Sequence, residues 1–189
     1  MAEYSQTFRF SATLRWLHLG LALAVSLELG LGLGLRAAQG SLRDLLAIGH
    51  AWLGLLALGL VLLHWLWLKE GHDGGLRRLL PLDRRAWQEV AADLKGLAWR
   101  LPPGGARPGL PGLLQGVGLV LLSLQGGLGL VLFLVSSPPG ELPGHLAELK
   151  SWHQGLGWGV LGYWGIHVGM ALVHLWRRDG VVSSMLPWR

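Results

Sequence analysis

The sequence predicts an all-α membrane protein, a transmembrane four-helix bundle with both termini on the cytoplasmic side. Three observations carry that expectation. The 189 residues are 51% hydrophobic and only 14% charged, with a mean hydropathy of +0.43, which is a membrane composition. Four apolar stretches, at about 12–35, 45–68, 110–135 and 152–176, each have the ~20 residues that cross a hydrocarbon layer as a helix. Thirteen of the 16 Lys and Arg residues then fall on one face of the membrane and three on the other. The positive-inside rule makes the crowded face cytoplasmic.

The first span is read as a retained helix. It is too long for a signal-peptide core, and no small-residue cleavage site follows it cleanly. Its one acid, Glu28, is read as an interfacial residue near the outer end. A short turn around Arg36–Asp44, with Gly40 and Ser41, leads into the second span. Trp16, Trp65, Trp67, Trp152 and Trp176 lie where an aromatic belt marks span edges. The loop 69–109 holds LDRRAWQEVAADLKGLAWRL, with Asp83 as an N-cap and apolar Ala86, Val90, Leu94 and Leu97. That pattern predicts a short amphipathic helix on the cytoplasmic surface, ended by LPPGGARPG. It suits either a docking surface or a basic helix resting on anionic lipid. The third span carries Gln115 and Gln125 but no His, so it closes the bundle. SSPPGELPGHLAELK then breaks the chain before the fourth span. All 189 residues form one membrane domain.

The lack of Cys excludes disulfides, covalent haem attachment through C-x-x-C-H and thiolate-held iron–sulfur clusters in this chain. The net charge of +5 follows from the membrane topology and gives no reason to invoke nucleic acid.

The histidines carry the chemistry. His72 and His145 fall in loops and are read as solvated. His18, His50, His64, His153, His167 and His174 lie in or at the edges of spans. His50 and His64 are 14 residues apart, as are His153 and His167. Fourteen helical steps return to within roughly 40° of the starting direction and climb ~21 Å. Each pair therefore shares one helix face near opposite sides of the membrane. Ionisable groups are costly in a bilayer and usually mark function. Stacked histidines in a helical bundle suit axial ligation of two haems. His50 and His153 share the outer depth and suit one haem. His167 lies near the inner face, where His18 or His64 qualifies as its partner. Gly54 and Gly157 each follow an outer histidine by four residues and leave room for a flat macrocycle. Arg9 and Arg15 are placed to neutralise haem propionates on the inner side.

ELKSWHQGLGWGVLGYWGIHVGMALVHLWRRDGVVSSMLPWR resembles the last helix and tail of the bacterial cytochrome b561 family. LRWLHLGLAL resembles that family's first helix and IGHAWLG its second. The same superfamily includes the cytochrome b subunits of nickel–iron hydrogenases and formate dehydrogenases, which the long second loop resembles more closely. The resemblance implies two haems b, with His50 and His153 on the outer haem iron and His18 and His167 on the inner one. His64 stands where relatives carry Arg, and is the alternative to His18. His174, two turns past His167, is expected to contact a propionate, quinone or water.

The resemblance further implies a membrane cytochrome of the bacterial inner membrane that passes electrons to or from quinone. One version is a stand-alone superoxide:quinone oxidoreductase. The other is an electron-transfer subunit anchoring a hydrogenase- or dehydrogenase-type partner, periplasmic or membrane-bound. A rival of another class is a haem-free, His-rich membrane transporter. The absence of an intramembrane acidic cluster counts against it.

Overall fold

The computed structural model describes residues 10–97, 108–135 and 146–188. Among them the chain is helical, with no strand. Its helices are α1 (Ala12–Ala37), α2 (Gly40–Lys69), α3 (Gly75–Leu79), α4 (Arg84–Gly96), α5 (Leu110–Val135), α6 (Ala147–Arg177) and α7 (Val181–Met185), with one 3₁₀ turn at His72–Gly74. Helices α1, α2, α5 and α6 are long and apolar enough to cross a membrane. Leu23, Leu27, Leu56, Leu62, Leu124, Leu134 and Leu172 on these helices are exposed, as lipid-facing side chains must be.

Helix α5 has the limits the sequence predicts, whereas α2 and α6 each begin five residues before the expected apolar stretch. Ser41–Asp44 thus belong to a helix rather than to the turn. Gly40 takes the positive φ of 56° that starts it. Asp83 caps α4 as expected, accepting from the Ala86 amide at 2.8 Å. Val90 is buried, but Trp87, Leu94 and Leu97 are exposed. The apolar face of α4 is thus left open on one flank.

The chain divides into two compact units. The first comprises residues 1–19, 63–119 and 168–189, and the second comprises Gly20–Leu62 and Val120–His167.

The first unit is organised around polar ties. Ser11 Oγ accepts from the Leu14 amide at 3.2 Å and so caps α1. Asp73 accepts from the Ser11 amide at 2.7 Å, from Ser11 Oγ at 2.6 Å and from Trp67 Nε1 at 2.7 Å. Burial pushes the Asp73 carboxyl up. The Ser11 and Trp67 donors and the Arg78 charge outweigh that and hold it below the usual value. Arg78 is 5% exposed. It donates to Gln115 Oε1 at 2.8 Å and lies 5.1 Å over the Phe10 ring. Phe10 and Leu14 pack with Trp67 and Met185. Helix α5 passes α3 at Gly116, where a Cβ would lie 2.6 Å from the Leu79 carbonyl oxygen. Only glycine fits there without displacing backbone. Asp93 Oδ2 accepts from the Leu110 amide at 2.9 Å and fixes the start of α5.

A depressed carboxyl stabilises the fold above its unfolded value, and the gain is lost as pH falls through the folded value. Asp73→Asn is therefore expected to cost about 1–2 kcal/mol at neutral pH, the scale of charge-assisted hydrogen bonds at a partly exposed site. The gap between the two proteins should shrink below about pH 4. Thermal unfolding in detergent at the two pH values checks this.

Candidate functional site

Within the second unit α1 meets α2, α2 meets α5, α5 meets α6, and α6 meets α1. Leu60 of α2 lies 3.6 Å from where a Cβ on Gly20 of α1 would be, and Leu58 of α2 lies 3.0 Å from that of Gly126 on α5. Trp52 of α2 and Phe133 of α5 meet edge to face at 5.8 Å. Trp164 Nε1 of α6 donates to Ser26 Oγ of α1 at 3.0 Å, and Arg36 of α1 sits 4.7 Å over the Trp158 ring of α6. Small residues and polar ties of this kind are what bring apolar helices together where water supplies no driving force.

The rings of His50 of α2 and His153 of α6 come close to each other within this packing. Their ring centroids are 6.1 Å apart and the planes are inclined by 74°. Each is flanked by one polar side chain from the neighbouring helix. Glu28 Oε2 lies 2.5 Å from His50 Nδ1. That contact lacks the alignment of a formed hydrogen bond, so Nδ1 and Glu28 Oε1 both stay without a hydrogen-bond partner. Gln125 Nε2 lies 3.3 Å from His153 Nε2. Gln125 Oε1 and His153 Nδ1 are likewise buried without partners. Four such atoms in one cluster are unusual, because buried polar groups are nearly always satisfied.

The glycines in this cluster frame the polar side chains. A Cβ on Gly54 would meet Glu28 Oε2 at 3.7 Å, and one on Gly157 would meet Gln125 Nε2 at 3.6 Å. Gly129 of α5 matters more. A Cβ there would come within 3.2 Å of His153 Cε1. Helix α5 thus contributes Gln125 and Gly129 to the positioning of His153 although it carries no His.

The remaining candidates are distributed between the units. His18 and His64 belong to the first unit and His167 to the second. His64 is 5% exposed. His167 is exposed and stacks on Tyr163 one turn earlier, with ring centroids 5.7 Å apart. Arg15 Nη1 donates to the Leu186 carbonyl oxygen at 3.1 Å, so the Met-Leu-Pro tail closes on the start of α1. Arg9 and His145 lie outside the described residues. His174 Nδ1 is 2.6 Å from Asp179 Oδ2. Burial raises the Asp179 carboxyl, but the His174 hydrogen bond and neighbouring charges bring it below its usual value. His72 is exposed, as expected of a loop residue, and stacks on Trp67 at 4.0 Å.

Two features were missed in the sequence. Glu28, read as interfacial, has a side chain only 14% exposed and touches a candidate ligand. Arg78, counted as one loop charge among many, is buried and bonded. The hint for Glu28 was its position as the one acid inside an otherwise apolar helix.

Comparison with known proteins identifies a family. The family model for prokaryotic cytochrome b561 matches residues 9–188. No curated protein and no solved structure matches the chain.

Proposed function

Because the chain belongs to the prokaryotic cytochrome b561 family, we propose that it is a two-haem electron wire linking the two faces of the bacterial inner membrane. Family membership makes it a membrane haem-b protein of transmembrane electron transfer. That is why the wire is preferred to the haem-free transporter. The number of haems, their ligands and the electron acceptor are the finer reading.

The observation that carries this reading is the His50–His153 pair. The two imidazoles, on facing helices with ring centroids 6.1 Å apart, would hold the iron of one haem between them. The buried, unsatisfied atoms gathered around the pair fit a site shaped for a polar, metal-bearing group rather than for dry packing. On this reading His50 and His153 hold the outer haem. His18 and His167 hold the inner one, as the family pattern implies, with His64 as the alternative to His18. Bound in this way, haem supplies a one-electron carrier closed to external ligands.

The chain's own residues do the rest. Helices α2 and α6 set the separation of the two imidazoles, and Gln125 and Gly129 position the His153 ring. Arg9 and Arg15 are placed by sequence near the inner haem's propionates. Quinone is the natural lipid-soluble partner, and the family suggests superoxide as the donor of a stand-alone enzyme. The shortness of the third loop in the sequence and the Met-Leu-Pro tail favour that version. The exposed Trp87 and Leu94 on α4, with Leu97 just past its end, favour the other, in which α4 docks a redox partner.

A dithionite-reduced minus oxidised spectrum with a pyridine haemochrome assay tests the core of the proposal. A b-type band and about two haems per chain are expected. Purified protein without haem, after expression with ample haem supply, would return the His-rich transporter to first place.

A further inference from the structure

Glu28 is the one acidic residue in the 26 residues of α1, and its side chain is only 14% exposed. An ionised carboxylate in an apolar segment requires a partner, because its desolvation is costly. Among the described residues the ionisable group it touches is His50, at 2.5 Å from Nδ1. Gly54 lies against the same carboxylate. One turn beyond His50, α2 has thus given up a side chain on the face where Glu28 sits.

An imidazole that binds metal through Nε2 has its ring orientation and basicity set by whatever accepts from Nδ1. A carboxylate there draws the Nδ1 proton toward itself and makes Nε2 the stronger donor to iron. A stronger, more anionic ligand favours ferric over ferrous iron. The two histidines of this site are not equivalent in that respect. His50 has a carboxylate beside Nδ1, whereas the polar side chain beside His153 is the neutral Gln125 amide, at Nε2.

We infer that Glu28 is a positioning and tuning residue for His50, which holds the Nε2 face of the ring toward the metal and lowers the potential of the outer haem. This inference rests on the ligand assignment proposed above. No proton leaves the pair, so the step it tunes remains the gain or loss of one electron. A low-potential outer haem would lean toward giving up an electron to the inner one.

The test is a spectroelectrochemical titration of the purified holoprotein and of Glu28→Gln, with haem content measured on the same samples. Glutamine keeps the length and an acceptor oxygen but removes the charge. The expected result is two haems per chain and a midpoint raised for one haem only. The size expected is about tenfold in the ferric-to-ferrous ratio at a fixed potential, which is 59 mV for one electron. Glu28→Asp, which restores the charge, should bring the midpoint back toward the native value. Unchanged midpoints in a two-haem Glu28→Gln protein would overturn the inference. If Glu28→Gln loads a single haem, retention of both by Glu28→Asp supports a charge that positions the ligand. Loss in both variants leaves only a packing role and overturns the tuning. His50→Ala is run alongside. If it keeps both haems, the ligand assignment itself is at fault, whatever Glu28 does.

Discussion

His153→Ala should yield a folded membrane protein with one haem per chain in place of two. His50→Ala should do the same, because each removes one of the two imidazoles that face each other at 6.1 Å. The haem that remains should keep its spectrum and midpoint. Fourteen helical residues separate His153 from His167, a climb of ~21 Å, so the inner site loses none of its own ligands. The fold should survive, since a ring lost from the middle of four helices leaves their lipid-facing surfaces and the polar ties of the first unit intact. Haemochrome assay and a reduced-minus-oxidised spectrum give the answer in one preparation. Loss of neither haem in either variant would refute the outer assignment. Loss of both would mean that the outer site is needed for assembly, and His153→Met, which keeps an iron ligand, would then separate ligation from assembly. Gly129→Ala tests the same geometry more gently. Its Cβ would press on His153 Cε1 and should shift the outer haem's spectrum without abolishing binding.

The helices were largely legible in the sequence because a hydrocarbon layer demands about 20 apolar residues in a row. Hydropathy reports the layer, however, and not the helix. Helix α2 starts at Gly40 and α6 at Ala147, where polar residues extend each helix beyond the apolar stretch. Asp83 was legible as a cap because capping is local. The histidine pairs were legible because their spacing is a property of one helix. Depth across the membrane also follows from the sequence, which is how His50 and His153 were matched. What a side chain meets on a neighbouring helix does not follow from it. Glu28 has the right depth to meet His50, yet its direction around α1 is fixed only by packing. Gln115 and Gln125 are visible in the sequence as polar residues of the third span. The structure supplies their partners, Arg78 and His153, which no spacing rule could name. Arg15 shows the same limit. It was expected near a propionate, and it reaches the Leu186 carbonyl, a tie between residues 171 positions apart.

The second large effect concerns the inner haem, and the outcome turns on one helix face. His64 shares a face with His50 by the 14-residue spacing, as His167 shares one with His153. Symmetry alone would pair α2 with α6 at both depths. The resemblance instead implies an inner ligand from the first helix, at His18, and sets His64 where many relatives would carry Arg. His64 is 5% exposed and has an interaction of its own, so burial by itself does not make it a ligand. A buried imidazole satisfied by a neighbour is an ordinary feature of membrane helices. On the family pattern His18→Ala should lose one haem and keep the outer one, whereas His64→Ala should keep both and shift at most one midpoint. Measuring haem content and potential for the two variants side by side decides it. If His64→Ala alone loses a haem, the inner iron is held between α2 and α6, and the resemblance has misled at this position. If both variants keep both haems, neither His18 nor His64 is by itself an obligatory ligand, and the assignment of His18 to the inner iron falls.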